Sequence, residues 1–224
     1  MNVLIFGATG MVGQGVLREC LLSTEVTLVQ TVGRTPVEQL HSKLRNVVHK
    51  DMWNYKALED KLTGFDACFF CLGVSSAGMS EDDYRHMTYD LTLSAAETLA
   101  RLNPQMVFVY VSGAGTDSSE HGRSMWARIK GKTENALLHL PFKAAYMFRP
   151  AAIQPLHGIK SKTKAYYILY ALTAPLWPLL QAIFPSYVLT TEQIGRAMIA
   201  AAKNGYSRQV LETTDIYNLS QRRT

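Results

Sequence analysis

Asn2-Val3-Leu4-Ile5-Phe6-Gly7-Ala8-Thr9-Gly10-Met11-Val12-Gly13 is the stretch from which the rest of the chain can be read. Asn2 to Phe6 is a short apolar run closed by Gly7, and Met11 to Leu22 has helical character, apolar at Val12, Val16 and Leu17 and free of proline. The order is strand, glycine turn, helix. Gly7, Gly10 and Gly13 fit G-x-x-G-x-x-G. Glycine permits the tight turn and removes the side chain that would hold a pyrophosphate away from the helix N-terminal amides, which favour negative charge. Behind a first strand, the motif points to a dinucleotide site built from Gly7, Thr9, Gly10, Met11, Val12 and Gly13. The bland alternative is that the glycines serve only turn and helix packing. A P-loop is excluded, because no Gly-Lys-Ser/Thr follows.

Outward from this turn the alternation continues. Val26 to Val32 and Asn46 to His49 read as strands, Asn54 to Leu62 as a helix, and Ala67 to Leu72 as a buried strand. Glu81 to Leu102 reads as a long helix, Met106 to Val111 as a strand, Trp126 to His139 as a helix and Ala144 to Phe148 as a strand. Strands alternating with helices predict an α/β fold, a Rossmann-like, doubly wound parallel sheet covered on both faces, with ligands at the strand C-terminal edge. Thr190 with Gln193 resembles a capping box for a helix from about Thr191 to Lys203, and Val210 to Leu211 is a candidate edge strand. The expectation is one domain over residues 1–224, with residues 151–191 as a small C-terminal, substrate-side region.

Composition bounds the function. The chain has 224 residues, 47% hydrophobic and 18% charged, which excludes a disordered, collagen-like or coiled-coil chain. Three cysteines are too few for a disulfide scaffold, and Cys68 and Cys71 are spaced to point to opposite faces of a strand. They read as reduced core thiols, so a cytoplasmic location is expected. The opening residues lack a basic stretch and a small-residue cleavage site, so no secretory signal is expected.

After the second strand, about 20 residues past the glycines, an acidic residue would hold the ribose 2′-hydroxyl of NAD, whereas an arginine accommodates the 2′-phosphate of NADP. Here the sequence is Val32-Gly33-Arg34-Thr35, so NADP is favoured over NAD. Asp51 and Met52, past the third strand, are placed to border an adenine. Leu72 and Gly73 close the fourth strand, where glycine lets the backbone approach the cofactor.

GATGMVG, VGR, CLGVSS, VSGAG, Lys130-Gly131-Lys132-Thr133-Glu134 and Arg149-Pro150, in this order and spacing, resemble the atypical short-chain dehydrogenase/reductases, the NAD(P)-binding nucleoside-diphosphate-sugar epimerase-like group. The similarity runs from Met1 to Arg149 and more loosely through Thr190-Thr191-Glu192. The resemblance implies catalysis by Ser, Tyr and Lys, with Tyr and Lys four residues apart on one helical face, where the ammonium lowers the phenol pKa and holds the nicotinamide ribose. Ser112 and Lys130 match, and Arg149 joins the cofactor-binding set. Four residues before Lys130 stands Trp126, whose indole has a donor N–H but no phenol to exchange a proton. Two readings stay open. Either another group supplies the proton, with Tyr84, Tyr89, Ser124 and His121 as candidates, or Trp126 stacks on a ligand and the protein binds NADP(H) as a sensor or scaffold without turnover. Tyr84 and Tyr89 as packing residues and His121 as a solvated loop residue are the plain alternatives.

Tyr166 to Pro185 is uncharged and as long as a membrane span of about 20 residues, but Pro175, Pro178 and Pro185 interrupt it. A pocket wall or lid is the first reading, a homo-oligomer interface or core the second, membrane-surface contact the third. Residues 135–191 carry five basic side chains, Lys143, Arg149, Lys160, Lys162 and Lys164, and no acidic one. The expected partner is a small-molecule substrate with an apolar portion and an anionic group, not nucleic acid. No metal site is expected.

Overall fold

A computed structural model describes residues 1–159, 177 and 186–222. Asn2–Phe6 forms β1, Met11–Leu22 α1, Leu28–Gly33 β2 and Leu44–Val48 β3. Ala67–Phe70 forms β4, Glu81–Arg85 α2, Leu91–Leu102 α3, Val107–Val111 β5, Met125–Leu138 α4 and Ala144–Arg149 β6. Ala152–Gln154 is β7, Val188–Thr190 β8, Thr191–Asn204 α5, Val210–Glu212 β9 and Thr213–Ser220 α6.

Among the described residues, seven strands make one sheet in the order β3-β2-β1-β4-β5-β6-β9, every neighbouring pair parallel. This is the doubly wound α/β fold expected. The sheet winds one way from β1 through β2 to β3 and the other way from β1 through β4 outward, so a crevice opens above β1 and β4, at their C-terminal ends. Apolar side chains cover both faces. Val3, Ile5, Phe69 and Val109 face a core closed by α1 and α5, while Leu4, Phe6, Phe70 and Phe108 face one closed by α3. Cys68 faces the second core and Cys71 the first, the opposite faces that their spacing demands, and all three cysteines are free.

Two of the expected elements take another form, and β7, β8 and α6 were not among the elements expected. The helix expected over Asn54 to Leu62 is a shorter 3-10 helix, Lys56–Lys61. The long helix from Glu81 is divided by a π turn at His86–Asp90, through which the backbone stays helical. Ser80 caps its start by accepting a hydrogen bond from Asp83 N at 3.1 Å. The capping box at Thr190 and Gln193 is present in both directions, and β9 lies at the sheet edge. No described helix is long and apolar enough to cross a membrane. The 151–191 region is described only at residues 151–159, 177 and 186–191, where β7 pairs with β8 and Trp177 is buried. Lys160, Lys162, Lys164 and most of Tyr166 to Pro185 lie outside the described residues.

Candidate functional site

The crevice is a cavity of about 1060 Å³. The turn from Gly7 to Val12 forms its floor. Gly7 adopts φ +77°, the left-handed region, and a Cβ there would sit 2.7 Å from Leu72 N, so only glycine lets β1 turn beside the end of β4. Gly13 does not line the cavity; its Cα packs on the Gly7 backbone, where a Cβ would strike the Gly7 carbonyl. Gly10 is the N-cap of α1, makes no side-chain cap bond, and no acidic residue follows in the first turn. The helix therefore presents N-terminal amides unclaimed by its own side chains, with their dipole aimed into the crevice. A Cβ added to Gly73 would meet nothing within 4 Å, which leaves open space beside the crevice lining. A pyrophosphate fits these features.

Arg34 lies on the rim past β2, exposed, and Met52 faces the same end. Lys50 and Trp53 line it too, and neither stood out in the sequence. Asp51 does not line the crevice. Its carboxylate accepts Trp53 N at 3.1 Å, an Asx turn, and it borders a separate shallow depression with His49 and Asn54. Trp53, two residues on, lines the crevice where Asp51 does not, and its indole stacks on His86 at 5.0 Å between centroids and 7° between planes. The lining carries Arg34, Lys50 and Lys130 and, among the described residues, no Asp or Glu. It is a cationic crevice.

At the other end, Ser112 follows β5, and Trp126 and Lys130 stand one turn apart on α4; all three line the cavity. Lys130 Nζ donates to the carbonyl oxygens of Ser112 at 2.8 Å and Val111 at 3.5 Å, while Ser112 Oγ donates to Phe148 O at 3.1 Å. Burial pushes the Lys130 ammonium down to about 8, against the attraction of Glu134. Trp126 passes beside Gly115, and Met87, Leu91 and Ile153 make the rest of this end apolar.

Of the alternative proton donors, Tyr84 lines the cavity. Tyr89, Ser124 and His121 do not: Tyr89 lies beneath Lys132 Nζ at 5.1 Å, Ser124 is the exposed N-cap of α4, and His121 is an exposed loop residue. Arg149 is also not in the crevice. Its Nε donates to Glu134 Oε1 and Oε2 at 3.1 and 3.2 Å, its Nη1 to Glu212 at 3.2 Å and its Nη2 to Ser118 Oγ at 2.5 Å. The buried Glu134 carboxylate, with the exposed Glu212 beside it, takes up the charge that was expected to meet a cofactor or an anionic substrate, so the Arg149 assignment is corrected to a structural one.

The sequence family described as NAD dependent epimerase/dehydratase matches residues 3–125. The mitochondrial protein fmp52 of Emericella nidulans is 30% identical over 159 residues, which cover 68% of this chain and 66% of that relative. Protein HTATIP2 of Rattus norvegicus is 26% identical over 155 residues, covering 68% and 62%. In both cases the match spans just under two thirds of the relative's own length. The enzyme WbmF of Bordetella bronchiseptica, solved with NAD+, superposes with a TM-score of 0.66 at 17% identity over 98% of this chain and 76% of that one. The UDP-N-acetylglucosamine 4-epimerase of Methanobrevibacter ruminantium superposes with 0.68 at 16% identity over 94% and 75%. At these identities the structures show a shared fold. The fungal relatives, in Emericella, Eremothecium and Debaryomyces alike, are named mitochondrial, which overturns the cytoplasmic expectation. Reduced thiols mark a reducing environment, and that is not unique to the cytosol.

Proposed function

Since the chain belongs to the NAD dependent epimerase/dehydratase family, we propose that it binds NADP(H) in the crevice and acts as an oxidoreductase or epimerase-like protein on a small organic molecule. The carrying observation is the union of an uncapped helix N-terminus at Gly10 with a crevice lined by Arg34, Lys50 and Lys130 and no described carboxylate. Gly7, Thr9, Gly10, Met11 and Val12 would cradle the pyrophosphate, with Gly13 allowing α1 to start close to the strand. Met52 and Trp53 would border the adenine. Leu72 and Gly73 would lie along the middle of the dinucleotide, and Lys130 and Ser112 at the nicotinamide end. Arg34 and Lys50 favour NADP over NAD, because a 2′-phosphate adds charge where an acidic residue would repel it. When bound, the dinucleotide supplies or accepts a hydride.

The chain's own residues shape what reacts. Met87, Leu91, Trp126 and Ile153 exclude water from the reacting end and favour a substrate with an apolar portion, while Lys130 meets its oxygen and Ser112 lies alongside. A mitochondrial setting follows the names of the relatives. Thermal unfolding with NADPH, NADH or neither tests the cofactor reading, since a ligand of the folded state raises the melting temperature by mass action.

A second reading, a sensor or scaffold that binds NADP(H) without turnover, is favoured by Trp126 at the place where the resembled family carries tyrosine. Turnover of a carbonyl substrate by the unaltered protein removes it.

A further inference from the structure

If Trp126 cannot exchange a proton, a reductase built on this crevice needs another acid beside the substrate oxygen. Of the catalytic candidates weighed above, Lys130, Ser112 and Tyr84 line the cavity. The Ser112 hydroxyl proton is given to Phe148 O. We propose that Lys130 is itself the general acid, passing its own proton to the oxygen of a bound carbonyl compound. This rests on the oxidoreductase reading above.

The geometry around Nζ suits the task. Lys130 Nζ donates to Ser112 O at 2.8 Å and to Val111 O at 3.5 Å. An ammonium has three N–H donors and a neutral amine two, so both backbone bonds persist in either state. The third position holds a proton in one state and a lone pair in the other. Lys130 thus changes charge without losing what holds it in place.

The groups facing it leave that proton transferable. Glu134, one turn along α4, is the acid that bears on Lys130, and its carboxylate is taken by Arg149 of β6. From β5 comes the Tyr110 ring, 5.6 Å from Nζ, whose phenol burial keeps neutral. From α2 comes Tyr84, a second lining phenol. Burial lowers the Lys130 pKa to about 8, near the pH at which an acid works best in neutral solution.

In the step, a hydride equivalent from the reduced dinucleotide adds to the carbonyl carbon and the C=O π pair moves to oxygen. An O–H bond forms with the Lys130 proton as the N–H bond breaks, leaving its pair on nitrogen. The carbonyl is reduced to an alcohol, the dinucleotide is oxidised, and the amine regains a proton from water.

The test has two arms on the full chain. In the first, lysines are labelled with acetic anhydride across pH 6 to 11 and read by mass spectrometry, with and without NADPH. Lys130 is expected to reach half its maximal reactivity near pH 8 and to be protected by NADPH; half-reactivity above about pH 10, the range of ordinary lysines, or no protection by NADPH that demonstrably binds, overturns the proposal. In the second, NADPH-dependent reduction of 4-nitrobenzaldehyde and 9,10-phenanthrenequinone is followed. The ammonium is the active form, so kcat is expected to be full below its pKa and to fall about tenfold per pH unit above it. Lys130→Arg keeps a charged donor that cannot release its proton, and should lose about a hundredfold or more in kcat while keeping the NADPH melting shift. Tyr84→Phe, which removes a lining phenol but not the acid, should lose less in kcat than Lys130→Arg and keep the fall of kcat above the Lys130 pKa. A Lys130→Arg variant that keeps its kcat, a hundredfold loss in Tyr84→Phe, or bound NADPH with neither probe reduced, overturns the proposal. Failure of the unaltered protein to bind NADPH removes the cofactor reading beneath it instead.

Discussion

Arg149 on β6 and Glu134 on α4 form an ion pair inside the protein, with the Glu134 carboxylate fully enclosed and Arg149 Nε shared between its two oxygens at 3.1 and 3.2 Å. The pair pins the helix that carries Lys130 to the strand that ends beside the crevice. Removing one partner strands a buried charge, at a cost of about 3–5 kcal/mol. Glu134→Ala should lower the urea midpoint accordingly. The paired change Glu134→Leu with Arg149→Met should recover most of the loss and keep the NADPH melting shift, as expected of a structural arginine and not of a cofactor ligand.

Gly7 gives a second stability test with an internal control. Gly7→Ala forces a side chain into φ +77° and into the Leu72 backbone, whereas Gly78 has φ +78° and open space around it. Gly78→Ala should cost about 1–3 kcal/mol for conformation alone. Gly7→Ala should cost more in urea unfolding and abolish the NADPH melting shift, which Gly78→Ala should retain.

Trp126→Tyr places a phenol one helical turn before Lys130. NADPH binding should survive, and NADPH-dependent reduction of 4-nitrobenzaldehyde should rise by about 10²-fold or more if proton delivery limits the unaltered protein. An unchanged rate with unchanged binding would show that position 126 does not limit the reaction.

Glu192 supplies the acid side of stability. A hydrogen bond with His157, then Arg196 and Arg18, hold its carboxyl below the ordinary carboxylate range. A lowered folded-state pKa gives stability that is present above the unfolded value of about 4.3 and lost as pH falls through the folded one. Melting temperatures measured downward from pH 6 should drop through that window in the unaltered protein, and less steeply in Glu192→Gln.

Much of the fold was legible because its signals are local. The apolar run before Gly7, the alternation that follows and the capping box at Thr190 and Gln193 all lie within a few residues of what they specify. The crevice was legible where glycine spacing and strand ends fix it, at Gly7 to Val12, Arg34, Leu72, Gly73, Ser112 and Lys130. Arg149 misled because its partners, Glu134 and Glu212, stand 15 and 63 residues away and meet it only in the folded chain. Asp51 misled by two residues. Its carboxylate turns back onto Trp53 N, so Trp53, and not Asp51, reaches the crevice. Lys50 carried no motif, and only the shape of the crevice joins it to Arg34. The π turn at His86–Asp90 also left no trace, since nothing in its sequence interrupts the helical pattern and the backbone enters and leaves it at helical angles.

The most direct test of the whole reading is the melting temperature of the unaltered protein in NADPH and in NADH at one equal concentration, repeated with Arg34→Ala. A ligand at 100 times its Kd adds about 2.7 kcal/mol to stability. NADPH is expected to give the larger shift, and Arg34→Ala to bring it down to the NADH value. Equal shifts in the unaltered protein would contradict the 2′-phosphate site, and no shift with either dinucleotide would contradict the crevice as a dinucleotide site altogether.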